Sequence, residues 1–479
     1  VDLLRQNAGK EQELTFVASP MQAQKAAKEQ ADGEVTEAVS ITPYHAALLA
    51  EPDYEQILGE NYQFPESYDL RDYGLVTPVR NQGGYGTCWA HGILGSVETG
   101  LIEQDDQIDL SEWHLAYYTY WGDDTYGQFD MESDIFDLGG WSITGLNTLT
   151  RWFGPVHEET LPYEDDEIRS FSDEEKLALR AQAAYHVQDA YINNSYLDYH
   201  SGKVTRSNEN LKAMLMNGHS VSFTFNTSDY YYNAETEAYY TPYYTWGNHI
   251  VLLVGWDDNY PKEYFNTEPA GDGAFICKNS WGQDFGDEGF FYISYYDTNI
   301  GMNSVVYTKL GNSDNYDKIY QSDLMGEVGT MGFDDRPEAY FANVYTAGKN
   351  ETLKAVSFYA TGPKTTYDVY VVTDFTDVSD LQQRTKVASG EMQYEGYYTI
   401  NLNEAVPLPD DRKFAVVVHV NTQDSTMPIA IEYNNDEKTA NFDITDGEGY
   451  ISLYGTKWSS AEQENDCNVC LKAFTDVGD

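Results

Sequence analysis

The spacing of apolar residues changes character along this chain, and that change limits its possible folds more than any other feature. After a loop holding Gly83, Gly84 and Gly86, the residues Ala90, Ile93, Leu94, Val97 and Leu101 recur at helical spacing. This predicts a helix with Cys88 at or near its N-terminus. Further helices are expected around Leu110–Leu115, from Glu174 to Tyr185, and from Asn210 to Met216. From Ser220 the texture turns to strand, in the runs Val221–Phe225, His249–Gly255, Ala274–Lys278 and Gly289–Tyr295. A helical half followed by a β half is an α+β order. Beyond about Gly311 the helical period vanishes, and short alternating runs such as Tyr367–Val371 and Phe414–Val420 stand between turn residues. That pattern reads as an all-β sandwich. The polar stretch Gly311–Asp314 marks the boundary, and no solenoid-type repeat is present.

With 479 residues, two or three folded units are expected. Residues 1–60 read as a leader, with Ala, Gln, Glu and Lys dominating Met21 to Glu37; a folded unit spans 61–310 and a second spans 318–479. Hydrophobic residues make up 41% and aromatics 15%, enough for real cores. Against 79 Asp and Glu stand only 28 Lys and Arg, a net charge of -51. Such a surface repels phosphate backbones and anionic lipid, so neither nucleic acid nor a membrane surface is a main partner. It leaves carboxylates free for calcium, for which the C-terminal unit is the candidate; no other metal or cofactor is expected. No apolar stretch reaches the ~18 residues that span a bilayer. The start at Val1 reads as a trimmed N-terminus.

Four cysteines are too few for a disulfide framework. Cys467 and Cys470 read as either a local disulfide or two packed thiols, since no second pair completes a zinc site. Cys277, in the apolar run Ala274–Cys277, reads as a core residue. Cys88 remains. A thiol attacks carbonyls only as thiolate, and a helix N-terminus and a nearby imidazolium both favour that form. His249 opens a strongly apolar strand able to aim a side chain into a cleft. Asn279 follows another strand and suits an imidazole orienter. Gln82, six residues before Cys88, could hold an oxyanion together with the Cys88 N–H.

The run Asn81-Gln82-Gly83-x-x-Gly86-Thr87-Cys88-Trp89-Ala90 resembles the nucleophile loop of the papain family of cysteine peptidases. Asn248-His249 and Lys278-Asn279-Ser280-Trp281-Gly282 resemble that family's histidine and asparagine sites. Asp69-Leu70-Arg71, Val76–Gln82, Leu110-Ser111-Glu112, Gly139-Gly140 and Leu161-Pro162-Tyr163 are similar blocks, in family order across about 64–300. The resemblance implies a two-lobed peptidase, one lobe helical and one β, with Cys88 as nucleophile and His249 as base. It implies Asn279 as ring orienter, Gln82 in the oxyanion hole and Trp281 as a shield over the His–Asn contact. It also implies that Gly140, with Gly139, pairs with the substrate backbone, and that Phe223 and Ile250 line the pocket for the P2 side chain. Three departures stand out: Tyr85 and Asp137 replace the two halves of a usual disulfide, and His91 replaces a usual aromatic. The Cys88–His249 separation of 161 residues also exceeds the expected ~130–150. His91 reads as a structural substitute rather than a second base.

The layout as a whole resembles bacterial surface-layer-processing peptidases with a C-terminal lectin-like sandwich. It implies a secreted or cell-surface endopeptidase made as a zymogen, acting on protein or peptide substrates, with cell-wall or glycan contact through residues 318–479. A sandwich that merely buttresses the peptidase is the plainer alternative. Two rival functions remain: a surface adhesin with an idle peptidase domain, and a cysteine peptidoglycan hydrolase.

Overall fold

The structure, a computed structural model, describes residues 39–42 and 52–478, apart from 123–133, 194–195, 199–202, 206–207, 244–246, 334–335, 424, 435–441 and 446. The chain divides into two compact units; the first ends at Asn312, and the second is built mainly from Ser313–Asp479 with shorter earlier segments added to it. Most of the expected leader lies outside the described residues. Within it, Val39–Thr42 forms a strand paired antiparallel with Gly329–Phe333, so this part of the leader is built into the second unit.

The first unit is organised around helix α1 (Cys88–Leu101), which is buried along almost its whole length. Its apolar positions leave no solvated face except near the ends, as expected for a helix with neighbours on all sides. Gly92 explains how closely the sheet can approach it. A Cβ there would stand 2.7 Å from the Ile250 side chain. Helix α2 (Glu112–Tyr120) starts at Ser111, whose hydroxyl accepts the His114 N–H. Helix α3 (Ser142–Thr150) and helix α4 (Asp173–Arg180) complete the helical part, α4 opened by a Ser172–Glu175 capping box. The expected helix from Glu174 to Tyr185 is therefore too long. Tyr185 instead begins strand β1 (Tyr185–Asn193). A partner more than a hundred residues later decides this, for β1 pairs antiparallel with Ser304–Asn312.

After helix α5 (Asn208–Met216) comes the β part. Strand β2 (Val221–Phe225) pairs with β3 (His249–Asp257), which pairs with β4 (Ala274–Lys278), which pairs with β5 (Phe290–Ser294), all antiparallel. Strand β6 (Ser304–Asn312) closes the row beside β2 and β1. These strands are buried on both faces, so they read as unbroken apolar runs rather than alternating ones. A register shift between Ile276 and Cys277 bends β4 just before its end at Lys278.

His114 on α2 is wholly buried, and burial pushes its pKa down to about 3. Unfolded, the same ring takes a proton near pH 6.5, so its contribution to stability holds above that pH and fades as pH falls toward 3. His114→Phe should cut the loss in unfolding free energy between pH 7 and pH 4.5 by about 2–3 kcal/mol. Urea titrations at the two pH values measure this difference.

The second unit is antiparallel throughout its described ladders. One sheet runs in the order Thr385–Met392, Thr365–Val372, Lys413–Thr422, Glu338–Thr346, Gly449–Ser452. Another pairs Lys318–Tyr320, Leu471–Val477, Glu351–Ala360 and Gly396–Pro407 in turn. Alternate residues such as Ala342, Val344, Ala415 and Val417 pack with Phe375 and Leu381 in one apolar cluster. A buried ion pair of 2.6 Å joins Lys472 to Asp323. An α+β unit followed by an all-β sandwich is the order the apolar spacing predicts.

None of the four cysteines is in a disulfide, so Cys467 and Cys470 are two buried thiols. Cys277 is fully buried in β4, as expected of a core residue. Among the described residues, no group of three or more His, Cys, Asp and Glu side chains gathers where a metal ion would sit. No helix among them is long and apolar enough to cross a membrane.

Candidate active site

Cys88 is the first residue of α1, where backbone N–H groups have no partner within the helix. The N-cap, Thr87, does not spend its hydroxyl on them. That oxygen instead meets the Tyr163 hydroxyl at 2.5 Å, and Tyr163 donates to the Gln82 carbonyl at 2.8 Å. The first-turn N–H groups of Cys88 and Trp89 lie near the sulfur and favour its thiolate form. The Ile250 N–H reaches it too, which brings the start of β3, and hence His249, beside the thiol.

His249 is the first residue of β3 and is almost fully buried. Its Nε2 stands 2.8 Å from Asn279 Oδ1. The same oxygen accepts the Ser280 N–H at 2.8 Å, which fixes the amide orientation. Nε2 therefore carries the proton and donates, which leaves Nδ1 as the acceptor nitrogen of the neutral ring. The Trp281 indole stacks on the imidazole at 4.7 Å and 28°, covering the contact from solvent.

Gln82 is held by two bonds: Ser280 Oγ donates to its Oε1 at 2.7 Å, and its own amide donates to the Tyr85 carbonyl at 2.8 Å. The loop it belongs to is clipped to the Asn279 segment. Gln82 N–H donates to the Ser280 carbonyl at 2.8 Å, and Gly282 N–H to the Arg80 carbonyl at 3.0 Å. Residues nearly two hundred apart in sequence thus form one antiparallel bridge, Asn81 opposite Trp281.

Burial pushes the Cys88 thiol up to about 11, and the three backbone N–H groups pull it back. The residue keeps partial solvent exposure, which softens that upward push. Burial also pushes His249 down to about 4, opposed by its bond to Asn279. Burial by itself favours the neutral forms, a thiol beside an imidazole, while the attraction between thiolate and imidazolium works toward the ion pair. The helix N-terminal donors and the Asn279 acceptor are the groups that assist it.

The remaining candidates divide. Gly140 is packed against the Trp89 indole, where a Cβ would lie 2.4 Å from the ring, so close approach alone demands glycine there. Gly139, beside it, has φ 70°. Ile250 lies against α1 at Gly92. Phe223, expected at the P2 pocket, is fully buried and packs against Phe225 in the β core. Side chains alternate along a strand, so it is Thr224, opposite Ile250 in the ladder, that shares the Ile250 face. The departures at Tyr85 and Asp137 also find their account. Gly86 N–H donates to the Phe136 carbonyl at 2.8 Å, and the Tyr85 ring packs edge-on against Trp113 at 4.9 Å, with Trp113 stacked on Phe136. Aromatic packing holds the two segments where the family uses a disulfide.

Sequence reasoning missed a buried charged network beneath the site. Glu98 on α1 accepts from Thr77 Oγ1 at 2.6 Å, from the Leu110 N–H at 3.0 Å and from Arg80 at 2.8 Å. Arg80 also pairs with Asp109 and Glu112, and Lys278 donates to Thr77 Oγ1 at 3.1 Å. The available signal was charge inside apolar runs: Glu98 within the α1 pattern and Lys278 closing β4. Such charges are buried only when paired.

A thiol at a helix N-terminus, facing an imidazole tied to an amide across the junction of a helical and a β part, defines a papain-like cysteine peptidase. The chain belongs to the papain family of cysteine proteases, whose profile matches residues 64–310, and a lectin-like domain profile matches residues 319–475. Among solved structures it is similar to the cysteine protease and lectin-like domains of Cwp84, a surface layer associated protein of Clostridium difficile. That match has 25% identity and a TM-score of 0.73, covering 92% of this chain and 98% of that one. The same protein after propeptide cleavage matches at 27% identity and TM-score 0.72, covering 86% and 99%. Among curated relatives, the viral cathepsin of Heliothis zea nuclear polyhedrosis virus is 27% identical over 237 residues, covering 48% of this chain and 53% of its own. Bos taurus cathepsin S is 27% identical over 234 residues, covering 48% and 60%. The chain thus spans only part of these relatives.

Proposed function

We propose that the chain is a secreted, surface-associated cysteine endopeptidase that hydrolyses peptide bonds through a thioester acyl-enzyme. The observation that carries this reading is the His249–Asn279 bond, which commits Nε2 and leaves Nδ1 for the Cys88 proton. In the first step the Cys88 sulfur bonds to the scissile carbonyl carbon while its proton passes to His249 Nδ1. The carbonyl oxygen becomes an oxyanion between the Cys88 N–H and the Gln82 amide, whose orientation Ser280 and the Tyr85 carbonyl support. The C–N bond then breaks, the proton leaves with the amine, and the thioester remains. Water attacks it, gives its proton to Nδ1 and releases the acid as the thiol reforms. Gly139 and Gly140 offer backbone to the substrate, and Ile250 with Thr224 borders the P2 pocket.

The leader is proposed as a pro-segment, a reading supported by the propeptide cleavage of the similar Cwp84. Incubation under reducing conditions, followed by N-terminal sequencing, tests both points. Self-processing within residues 1–60, blocked by a thiol alkylator, is the expected result. An intact N-terminus together with uncleaved peptide substrates defeats the reading.

For the lectin-like unit we propose contact with a cell-surface glycan. The full-length Cys88→Ala chain should sediment with cell walls and be released by wall polysaccharide. Sedimentation that free polysaccharide leaves unchanged removes the glycan role and favours a buttress. We also propose that this unit takes calcium, so a chelator should lower the melting temperature of the chain; an unchanged melting temperature removes the proposal.

A further inference from the structure

His91 stands one turn into α1, where the resemblance leads one to expect an aromatic ring. Its Nδ1 lies 3.0 Å from the Thr87 carbonyl. A carbonyl only accepts, so Nδ1 carries a hydrogen, and in the neutral ring Nε2 is then a bare lone pair. That nitrogen faces Glu112 Oε1 at 3.9 Å, too far for a direct hydrogen bond. Two acceptors face each other across a gap, which needs a donor between them.

The gap is part of a small cavity of about 20 Å³, bordered by His91, Glu112, Arg80, Lys278, Asn279 and Ser280. A space of that size holds one water molecule when it offers two or more polar partners. Asn279 supplies the missing member. Its Oδ1 is taken by His249 and Ser280, while Nδ2 is buried and has no hydrogen-bond partner in the structure. A buried amide N–H left unpaired costs about 1–3 kcal/mol.

We propose that one water occupies this cavity, accepting from Asn279 Nδ2 and donating to His91 Nε2 and Glu112 Oε1, and that His91 is thereby a positioning residue for His249. The inference rests on the role proposed above for Asn279. The water anchors the far end of the amide whose near end holds the imidazole. An aromatic side chain at position 91 would close the cavity and leave Nδ2 unpaired. The charged and titratable groups around His91 are Glu112 from α2, Arg80 from the lead-in segment, Lys278 and His249 from the β strands, and the Tyr163 ring at 5.2 Å. The chain therefore has a polar tie between its orienting amide and the buried charged network, which tightens the alignment of ring and thiol.

Kinetics of His91→Phe and His91→Gln test this in the full-length enzyme. Losing one hydrogen bond should lower kcat roughly threefold to tenfold in the phenylalanine variant, with KM unchanged. The weaker Asn279 acceptor should also make the imidazolium easier to deprotonate, so the alkaline limb of the pH profile moves to lower pH. The same displacement should appear in the pH profile of Cys88 alkylation by iodoacetamide. The glutamine variant keeps a polar group at the cavity and should restore most of both values. A phenylalanine variant with parental kcat and an unmoved alkaline limb overturns the inference. So does a glutamine variant as impaired as phenylalanine, and if phenylalanine does not fold, the glutamine variant alone must keep the parental limb. The parent enzyme separates the two readings. If iodoacetamide fails to label its Cys88 with a pH-dependent limb, the proposed catalytic pair falls, whatever the variants do.

Discussion

Replacing Cys88 by alanine should lower peptide hydrolysis by on the order of 10⁴- to 10⁶-fold, because nucleophile and proton donor are lost together. The Cys88 sulfur is held at a helix N-terminus, where the N–H groups of Cys88, Trp89 and Ile250 favour the thiolate. Cys277, Cys467 and Cys470 are fully buried or nearly so, and burial pushes the thiols of Cys277 and Cys470 far up, away from the reactive thiolate form. Cys277→Ala is the matching control. It should cost some stability through a lost core contact and leave kcat/KM at the parental value. Initial rates on a fluorogenic peptide, with active-site titration to count competent enzyme, measure both. Parental cleavage by the Cys88→Ala variant would remove the thioester mechanism altogether.

The second large effect belongs to stability. Glu98→Ala should destabilise the peptidase unit by about 3–5 kcal/mol, as breaking a buried ion pair does when one charge is left behind. Glu98 is wholly buried, and Arg80, Thr77 and the Leu110 N–H all converge on it. Arg80 would lose its buried partner on α1, and Lys278, already pushed by burial down to about 8, would be driven further toward its neutral form. Glu98→Gln keeps the hydrogen-bonding shape without the charge and should fall between parent and alanine. Urea unfolding followed by tryptophan fluorescence is the direct measurement. An alanine variant as stable as the parent would show that the network contributes nothing net, as some buried ion pairs do. Because Arg80 and Gln82 are clipped to Ser280 and Gly282, the alanine variant should also lose activity.

Phe223 shows where a sequence argument about the site loses its footing. On the sequence it sits in the right strand, and only the ladder reveals that Thr224, not Phe223, lies opposite Ile250. A one-residue error along a strand exchanges the two faces. The overlong helix toward Tyr185 has a similar cause, since propensity near Ala181–Ala184 is helical and a distant partner strand outweighs it. His91 illustrates a third kind of miss. Its identity was visible as a departure, but its meaning depends on a cavity and on an unpaired amide just past a strand almost two hundred residues away.

What the sequence by itself determined is the order of helical, β and sandwich segments, and the residue types at Gln82, Cys88, His249 and Asn279. Those follow from periodicity and from chemistry that tolerates few substitutes. Only the tertiary structure decided how these residues meet. The Arg80–Gln82 segment is clipped to Ser280–Gly282, Trp281 covers His249, and the charged network lies beneath them. Each of these depends on long-range pairing and on the dielectric of a closed interior, and neither quantity is written in any local window of the chain.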